Sequence, residues 1–193
     1  MKNLAVFISG FGSNLQTIAE FCEKNHNLAK IQVVISNKEG VNGLKIAQSF
    51  GIKSAVIPTK GRKMHEFEQD CKTHLEGVDI ICLAGFMRIL SPEFTKQWRE
   101  KMVNIHPSLL PSFKGDAAIN DALSFGVKIT GCTVHFVEAE IDSGRIIAQE
   151  PVRIDDFENE NSLRAKMKFA EKIAYTNALK ALVLKDFTTS SSY

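Results

Sequence analysis

The N-terminal stretch of this chain constrains its fold more than any other. Leu4 to Ile8 is a continuous apolar run, which is typical of a parallel strand buried on both faces. The run ends in the glycine turn Ser9-Gly-Phe-Gly-Ser-Asn14, and a helix is predicted from about Leu15 to Lys24. A strand, a glycine turn and a helix in this order aim backbone N–H groups and a helix dipole at an anion. The sequence therefore predicts an α/β domain with an anion site at its first turn.

The glycine turn does not fit the dinucleotide-binding fingerprint. That fingerprint has a third glycine where this chain has Leu15, and an acid at the end of the second strand. Here the second predicted strand, Ile31 to Ile35, ends in Ser36-Asn37-Lys38. We interpret the turn as a site for a single phosphate, and a plain tight turn is the alternative.

Two polar side chains stand out in the stretch Met102–Pro111. Asn104 and His106 are two positions apart in an extended segment, so they project from the same side. An amide that can hold an oxyanion then lies beside an imidazole that can transfer a proton. Pro107 and Pro111 restrict the backbone that leaves this segment. The alternative for such a pair is ordinary hydrogen-bonded structure.

The rest of the chain alternates between predicted strands and helices. The apolar loop Phe86 to Leu90 leaves a central buried strand, which is where open α/β sheets bind ligands. Apolar side chains also line pockets for flat ligands, so a ligand pocket and simple core filling both remain open for this loop. The further predicted strands are 54–58, 78–84, 128–137, 145–149 and 152–154, and the further helices are 43–50, 65–75, 117–125 and 163–185.

Composition excludes several classes of protein. The 193 residues suffice for one well-buried core, and 44% hydrophobic with 24% charged residues is ordinary for a globular protein. A net charge of +2 without a basic run argues against nucleic-acid binding. The apolar N-terminal run is too short for a signal peptide or a membrane span. The four cysteines lie far apart, which predicts reduced thiols in a cytoplasmic protein and no metal site.

Five motifs along the chain together resemble those of one enzyme family. They are Ile8-Ser-Gly-Phe-Gly-Ser-Asn-Leu15, Leu83-Ala-Gly-Phe-Met-Arg-Ile-Leu-Ser91, Asn104-Ile-His-Pro-Ser-Leu-Leu-Pro111, Gly131-Cys-Thr-Val-His-Phe-Val137 and Asp142-Ser-Gly144. In order and spacing they resemble the motifs of the phosphoribosylglycinamide formyltransferases, the folate-dependent enzymes of de novo purine synthesis. The resemblance covers residues 1–186 as a single domain, and 187–193 are expected to be a flexible tail. It implies a three-layer α/β/α fold around a mostly parallel seven-stranded sheet with a late antiparallel strand.

The resemblance implies a reaction and a catalytic set. The formyl group of 10-formyltetrahydrofolate, a co-substrate, would pass to the amine of glycinamide ribonucleotide without a metal. Asn104 would hold the formyl oxygen as it becomes an oxyanion, and His106 would transfer protons. Asp142 would pair with His106, favour its protonated form and order a relaying water. Read alone, Asp142 is a turn aspartate.

The resemblance also implies the ligand contacts. Glu171 would contact the substrate, and a solvated helix residue is the alternative. His135 would contact the catalytic side chains without touching the substrate. The predicted ribonucleotide contacts are Gly12, Ser13, Asn14, Lys168 and Glu171. The predicted folate contacts are Lys63, Met87, Arg88, Ile89, Leu90, Asn104, Glu138, Ala139, Glu140, Ile141 and Asp142. The basic contact near Arg62 or Lys63 is the least well placed, because that loop aligns poorly.

The chain departs from the family pattern at three positions. Ile119 and Lys172 stand where histidine is usual, and Thr176 stands where proline is common. Two related activities are less well matched: formyltetrahydrofolate hydrolase is expected to carry an extra N-terminal domain, and methionyl-tRNA formyltransferase an extra C-terminal one. A nucleotide-binding regulatory domain without turnover is the non-enzymatic alternative. Small-molecule substrates, no nucleic acid, no membrane, and a monomer or homodimer are the expected partnerships.

Overall fold

The computed structural model of the protein describes residues 1–184, which form seven strands and six helices. The predicted flexible tail at 187–193 lies outside these residues, and the single domain at 1–186 stays a prediction. The strands are β1 Lys2–Ile8, β2 Ala29–Ser36, β3 Ser54–Val56, β4 Ile80–Leu83, β5 Met102–His106, β6 Ile129–Phe136 and β7 Ile146–Arg153. The helices are α1 Ser13–Lys24, α2 Asn42–Ser49, α3 Met64–Lys72, α4 Pro92–Gln97, α5 Ala118–Phe125 and α6 Glu160–Leu184.

The strands form one seven-stranded sheet in the order β3-β2-β1-β4-β5-β6-β7. Neighbouring strands from β3 to β5 are parallel, whereas β6 is antiparallel to both β5 and β7. The predicted fold, a mostly parallel sheet with a late antiparallel strand, is confirmed. Because β1, β4 and β5 run side by side in the same direction, their carboxyl ends lie at one edge of the sheet.

Helices cover both faces of the sheet, as the buried central strands require. Consecutive residues of β1 therefore belong to different cores. Val6 packs in a cluster with Ile18 of α1 and Tyr175 of α6. Phe7 packs on the other face, where its ring meets the ring of Phe67 of α3 edge-on at 6.1 Å. The three-layer arrangement follows from this alternation.

The last strand is present as predicted. The strand predicted at 145–149 and its continuation at 152–154 form β7, which runs through Pro151 opposite Gly131. A proline has no N–H to donate, but β7 lies at the edge of the sheet, where a residue can do without a second hydrogen-bonded neighbour.

The last helix begins earlier than predicted. The predicted start is Leu163, but α6 begins at Glu160. The side chain of Asn159 accepts hydrogen bonds from the N–H groups of Asn161 and Ser162 at 3.0 and 3.1 Å, which satisfies donors of the first turn. The start of α4 is capped by Ser91, whose hydroxyl accepts a hydrogen bond from the N–H of Phe94. Among residues 1–184, no helix is long and apolar enough to cross a membrane.

Candidate active site

The predicted functional segments meet at the carboxyl edge of the parallel strands. The glycine turn follows β1, the loop 84–91 follows β4, and Asn104 and His106 end β5. These three strands are adjacent in the sheet. β6 runs antiparallel to β5 and ends with Phe136 opposite Val103, near the start of β5. The turn 137–145, which joins β6 to β7, brings Asp142 back to His106 at the end of β5. Segments that are far apart in sequence are therefore neighbours in this structure.

His106 and Asp142 form a close pair. The Nδ1 atom of His106 lies 3.2 Å from Oδ2 of Asp142, and the two side chains are only 6% and 8% exposed. The Nε2 atom of His106 lies 2.8 Å from the carbonyl oxygen of Phe113, which can only accept a hydrogen bond. Both ring nitrogens of His106 therefore face an oxygen acceptor. The predicted pairing of His106 with Asp142 is thus present in the structure.

Asn104 reaches the same carboxylate through His135. The Nε2 atom of His135 lies 3.5 Å from Nδ2 of Asn104 and 3.5 Å from Oδ1 of Asp142. The Nδ1 atom of His135 donates to the carbonyl oxygen of Phe136 at 2.8 Å, which fixes the orientation of the ring. His135 is buried directly opposite Asn104 in the β5–β6 ladder. The predicted supporting histidine thus touches two of the three catalytic candidates.

The surroundings of Asp142 stabilise its ionised form. Burial raises the pKa of this carboxyl group, but the hydrogen bonds from His135 and from the backbone N–H of Gly115 lower it, as do the charges of His106 and His135. The net pKa lies below its ordinary value, so Asp142 is ionised at neutral pH. Asp142 has φ +52, a conformation that aspartate tolerates better than most residues.

Two backbone groups of one loop complete this centre, and sequence reasoning missed both. The Phe113 carbonyl accepts from His106, and the Gly115 N–H donates to Oδ2 of Asp142 at 2.9 Å. Phe113 has φ +50, so its peptide groups are turned in a way that few non-glycine residues adopt. Backbone contacts leave no side-chain pattern, and the only signal was the glycine at 115.

Asn104 and Asp142 line a common cleft. His106 does not line this cleft and reaches it through Asp142. The loop after β4 and the turn after β6 form facing walls, so the two predicted walls of the folate pocket do belong to one cavity. The lining residues are Leu83, Phe86, Arg88, Ile89, Leu90, Thr95, Asn104, His135, Val137, Glu138, Ala139, Glu140, Ile141 and Asp142.

The apolar loop after β4 both fills the core and lines the cleft, which are the two interpretations left open by the sequence. Phe86 is buried and stacks against Phe67 at a ring distance of 5.6 Å, yet it also lines the cleft. Ile89 is 72% exposed at the cleft wall. Met87 is exposed and Lys63 is exposed at the start of α3, and neither lines the cleft. Their contacts to a folate stay predictions.

The glycine turn has the geometry that the sequence predicted. Gly12 has φ +83 and precedes α1, whose first N–H groups lie free of helical partners. A side chain at Gly12 would meet the Cα of Gly43 at 2.6 Å, because α2 packs against the turn. Gly10, by contrast, has open space where a Cβ would be, so packing does not require glycine there. Ser13 is exposed beside this turn, in the first residue of α1.

Glu171 is not the solvated helix residue of the alternative reading. Its Oε2 accepts a hydrogen bond from Nδ2 of Asn14 at 3.0 Å, which joins α6 to the glycine turn. Burial raises the pKa of Glu171, and the bond from Asn14 and the charge of Lys168 offset only part of this rise. An acid of this kind gains from a cation or a donor that comes to lie beside it.

The residues that depart from the family pattern have local roles. Ile119 lies on the apolar side of α5 and is buried in the core. Lys172 extends from α6 to α1 and pairs with Glu20 at 2.8 Å. Neither side chain contacts the centre around Asp142. Within residues 1–184 there is no group of three or more histidine, cysteine or acidic side chains that could hold a metal ion.

Known proteins are similar to this chain in sequence and in fold. The family model described as formyl transferase matches residues 2–179. The trifunctional purine biosynthetic protein adenosine-3 of Homo sapiens is 48% identical over 91% of this chain, which spans only 18% of that relative. The phosphoribosylglycinamide formyltransferase of Haemophilus influenzae is 40% identical over 97% of this chain and 88% of its own length. The crystal structure of the enzyme of that name from Anaplasma phagocytophilum superposes with a TM-score of 0.87 at 41% identity, over 94% of this chain and 86% of the other.

Proposed function

Because this chain belongs to the formyl transferase family, we propose that it transfers the formyl group of 10-formyltetrahydrofolate to the amine of glycinamide ribonucleotide in de novo purine synthesis. Relatives named for this activity match nearly the whole chain. The single observation that carries the proposal is the group formed by Asn104, His106 and Asp142. Asn104 and Asp142 line one cleft, and His106 lies 3.2 Å from Asp142.

The transfer requires one bond to form and one to break. The amine nitrogen of the ribonucleotide attacks the formyl carbon, the bond from that carbon to N10 of the folate breaks, and N10 gains the proton that the amine loses. Negative charge develops on the formyl oxygen between these events. The amide N–H of Asn104 is a donor for that oxygen, and a positively charged His106 stabilises it electrostatically. One such donor typically lowers the barrier by roughly 3 kcal/mol.

Asp142 keeps His106 charged and handles the proton. Its carboxylate pairs with His106, and its pKa lies below the ordinary value, so it stays ionised during turnover. An ionised carboxylate at the cleft surface orders a water molecule that carries the proton from the amine to N10. Phe113 and Gly115 hold the two side chains through backbone hydrogen bonds, so little reorganisation is needed.

The ribonucleotide would lie between the glycine turn and α6. The free N–H groups at the start of α1, in the segment Gly12, Ser13 and Asn14, suit a phosphate. Lys168 adds a positive charge on α6. Glu171, which is partly buried beside Asn14, suits the amine end of the substrate. These contacts fit a small anionic substrate that also carries an amine.

The folate would occupy the cleft between the loop after β4 and the turn after β6. Leu90 and the side chain of Ile89 offer apolar contact to the flat pterin ring. Arg88 at the same wall and Lys63 nearby suit the acidic tail. The backbone of Glu138 to Asp142 suits the polar ring edge, and Met87 completes the wall when the ring is bound.

An assay with purified protein tests this proposal. Protein is incubated with 10-formyltetrahydrofolate, with and without glycinamide ribonucleotide, and formyl-ribonucleotide and formate are measured separately. Formyl transfer that requires the ribonucleotide is the expected result. Release of formate without the ribonucleotide would identify a hydrolase, and ligand binding without any turnover would identify a regulatory domain. The cytoplasmic location and the monomeric or homodimeric state stay predictions.

A further inference from the structure

The loop after β4 is tied to the rest of the molecule at both of its ends. At its start, the N–H of Met87 donates to the hydroxyl of Ser9 at 2.8 Å. At its end, the N–H and the hydroxyl of Ser91 each donate to the carboxylate of Glu68 at 2.6 Å. Ser9 and Glu68 are both only 5% exposed. Met87 and Ile89 in this loop are exposed. The hydrogen bonds to the buried side chains of Ser9 and Glu68 therefore hold the loop in its position.

Ser9 and Glu68 differ in the segment that each connects to the loop after β4. Ser9 is the first residue of the glycine turn and directly precedes Gly10. Its backbone N–H donates to the carbonyl oxygen of Gly85 at 3.2 Å, and its hydroxyl accepts from Met87. Ser9 therefore makes two hydrogen bonds to the start of the loop after β4. Through these hydrogen bonds, a shift of the glycine turn moves that loop.

Further hydrogen bonds fix the position of the Ser9 hydroxyl. It donates to Oδ1 of Asn37 at 2.7 Å, and Nδ2 of Asn37 donates to the hydroxyl of Thr59 at 3.1 Å. All three side chains are buried, with exposures of 5%, 3% and 8%. The hydroxyl hydrogen is committed to Asn37, so only the oxygen lone pairs face Met87. A buried chain of this kind has one favoured arrangement and resists local adjustment.

We propose that Ser9 is a positioning residue that couples the two substrate subsites, so that a phosphate on the glycine turn strengthens binding of the folate in the cleft. The inference rests on the proposed function for the identity of the ligands. Ser9 does not line the cleft, so it acts through Met87. Coupling between subsites is reciprocal, and the folate strengthens binding of the ribonucleotide by the same factor.

Calorimetric titration of the full chain tests the coupling. Tetrahydrofolate, which has no formyl group to transfer, is titrated into the protein alone and into the protein saturated with glycinamide ribonucleotide. The ratio of the two Kd values is the coupling factor. For the wild type we expect a factor of about five or more, which corresponds to one ordinary hydrogen bond. Ser9→Ala loses the hydroxyl bond to Met87 and keeps the backbone bond to Gly85, so we expect a factor clearly smaller than that of the wild type.

Glu68→Gln is the matched control, because Glu68 holds the same loop without a bond to the glycine turn. It should weaken tetrahydrofolate binding in both titrations by a similar factor and keep the wild-type ratio. Thr130→Val is a second control: it removes a buried hydroxyl that has no hydrogen-bond partner among the described residues. It should leave both Kd values unchanged. A merely structural role of Ser9 would change both Kd values together and not their ratio.

The outcomes separate this inference from the proposed function. A wild-type ratio of one, or a Ser9→Ala variant that keeps the wild-type ratio, overturns the coupling even if the enzyme turns over. Absence of formyl transfer in the wild type overturns the proposed function. If Ser9→Ala does not fold, Ser9→Cys replaces the hydroxyl by a group of similar shape that bonds weakly. A reduced ratio in that variant supports the coupling, and an unchanged ratio overturns it.

Discussion

Two parts of the candidate active site are built in opposite ways. His106 and Asp142 are nearly inaccessible to solvent, and each is held by side-chain and backbone partners. The walls where the folate would bind are open: Ile89 is 72% and Ile141 is 52% exposed. Groups that stabilise a transition state must be placed before the substrate arrives, because reorganisation raises the barrier. Apolar walls gain by the opposite arrangement, since their exposed area is what the ligand removes from water.

The largest expected effect lies in the buried centre. Asn104→Ala removes an oxyanion donor, and His106→Ala removes the imidazole that pairs with Asp142. Each should lower kcat by about 10²–10³-fold while the KM for the folate changes little. Steady-state kinetics with both substrates check this. A variant in which KM rises and kcat is retained would mean that the residue binds ground-state substrate, and the contrast between centre and wall would be lost.

The wall should respond in the reverse sense. Ile89→Ser removes an apolar side chain that the folate would cover, so the KM for 10-formyltetrahydrofolate should rise by about tenfold at unchanged kcat. Ile129→Ser is the matched control, because Ile129 is 60% exposed and does not line the cleft. Equal KM values in the two variants would show that the cleft wall is not the folate surface.

Asp142 predicts a pH signature for the centre. Its pKa is lowered on folding from the ordinary value of 3.8, so its charged form is stabilised in the folded state. That stabilisation is fully present above pH 3.8 and is lost as the pH falls through the lower folded-state pKa. Asp142→Asn removes it. Denaturant unfolding of both proteins should therefore give a stability difference that shrinks below pH 3.8. A difference that does not depend on pH would contradict the pairing.

Glu171 predicts a smaller effect of opposite sign. Burial raises its pKa above the ordinary 4.5, so the ionised form is disfavoured in the folded protein. The resulting stability is present below pH 4.5 and is lost as the pH rises through the folded-state pKa. Relative to wild type, Glu171→Gln should become more stable as the pH rises from 4 to 7. A falling relative stability over this range would mean that Glu171 is paired with a cation in the free protein.

The sequence was most informative where a residue type or a spacing is compatible with only one local structure. The apolar run of β1, the turn at Gly12 and the two-residue spacing of Asn104 and His106 each determined a local geometry that the structure has. Pro151 lies inside β7, and the position of β7 at the sheet edge is what allows the strand to continue through a proline. The sequence cannot show which strand is the edge without the sheet order.

The parts of the site that escaped prediction depend on tertiary contacts. The Phe113 carbonyl and the Gly115 N–H are backbone groups, and every residue has them. Glu68 reads as one more polar residue on α3, and only the folded chain brings it to Ser91. Asp142 was assigned through resemblance, since an aspartate in a turn has many uses. In each case the role follows from a neighbour distant in sequence, which local patterns do not record.

A double-variant cycle on kcat tests most directly whether the buried residues act as one centre. His106→Ala, Asp142→Ala and the double variant are compared with the wild type under saturating substrates. If the pair works as a unit, the double variant should be about as slow as the slower single variant, because either change already disables the other residue. Losses that multiply in the double variant would mean that the two residues act independently, and the account of a single acyl-transfer centre would be wrong.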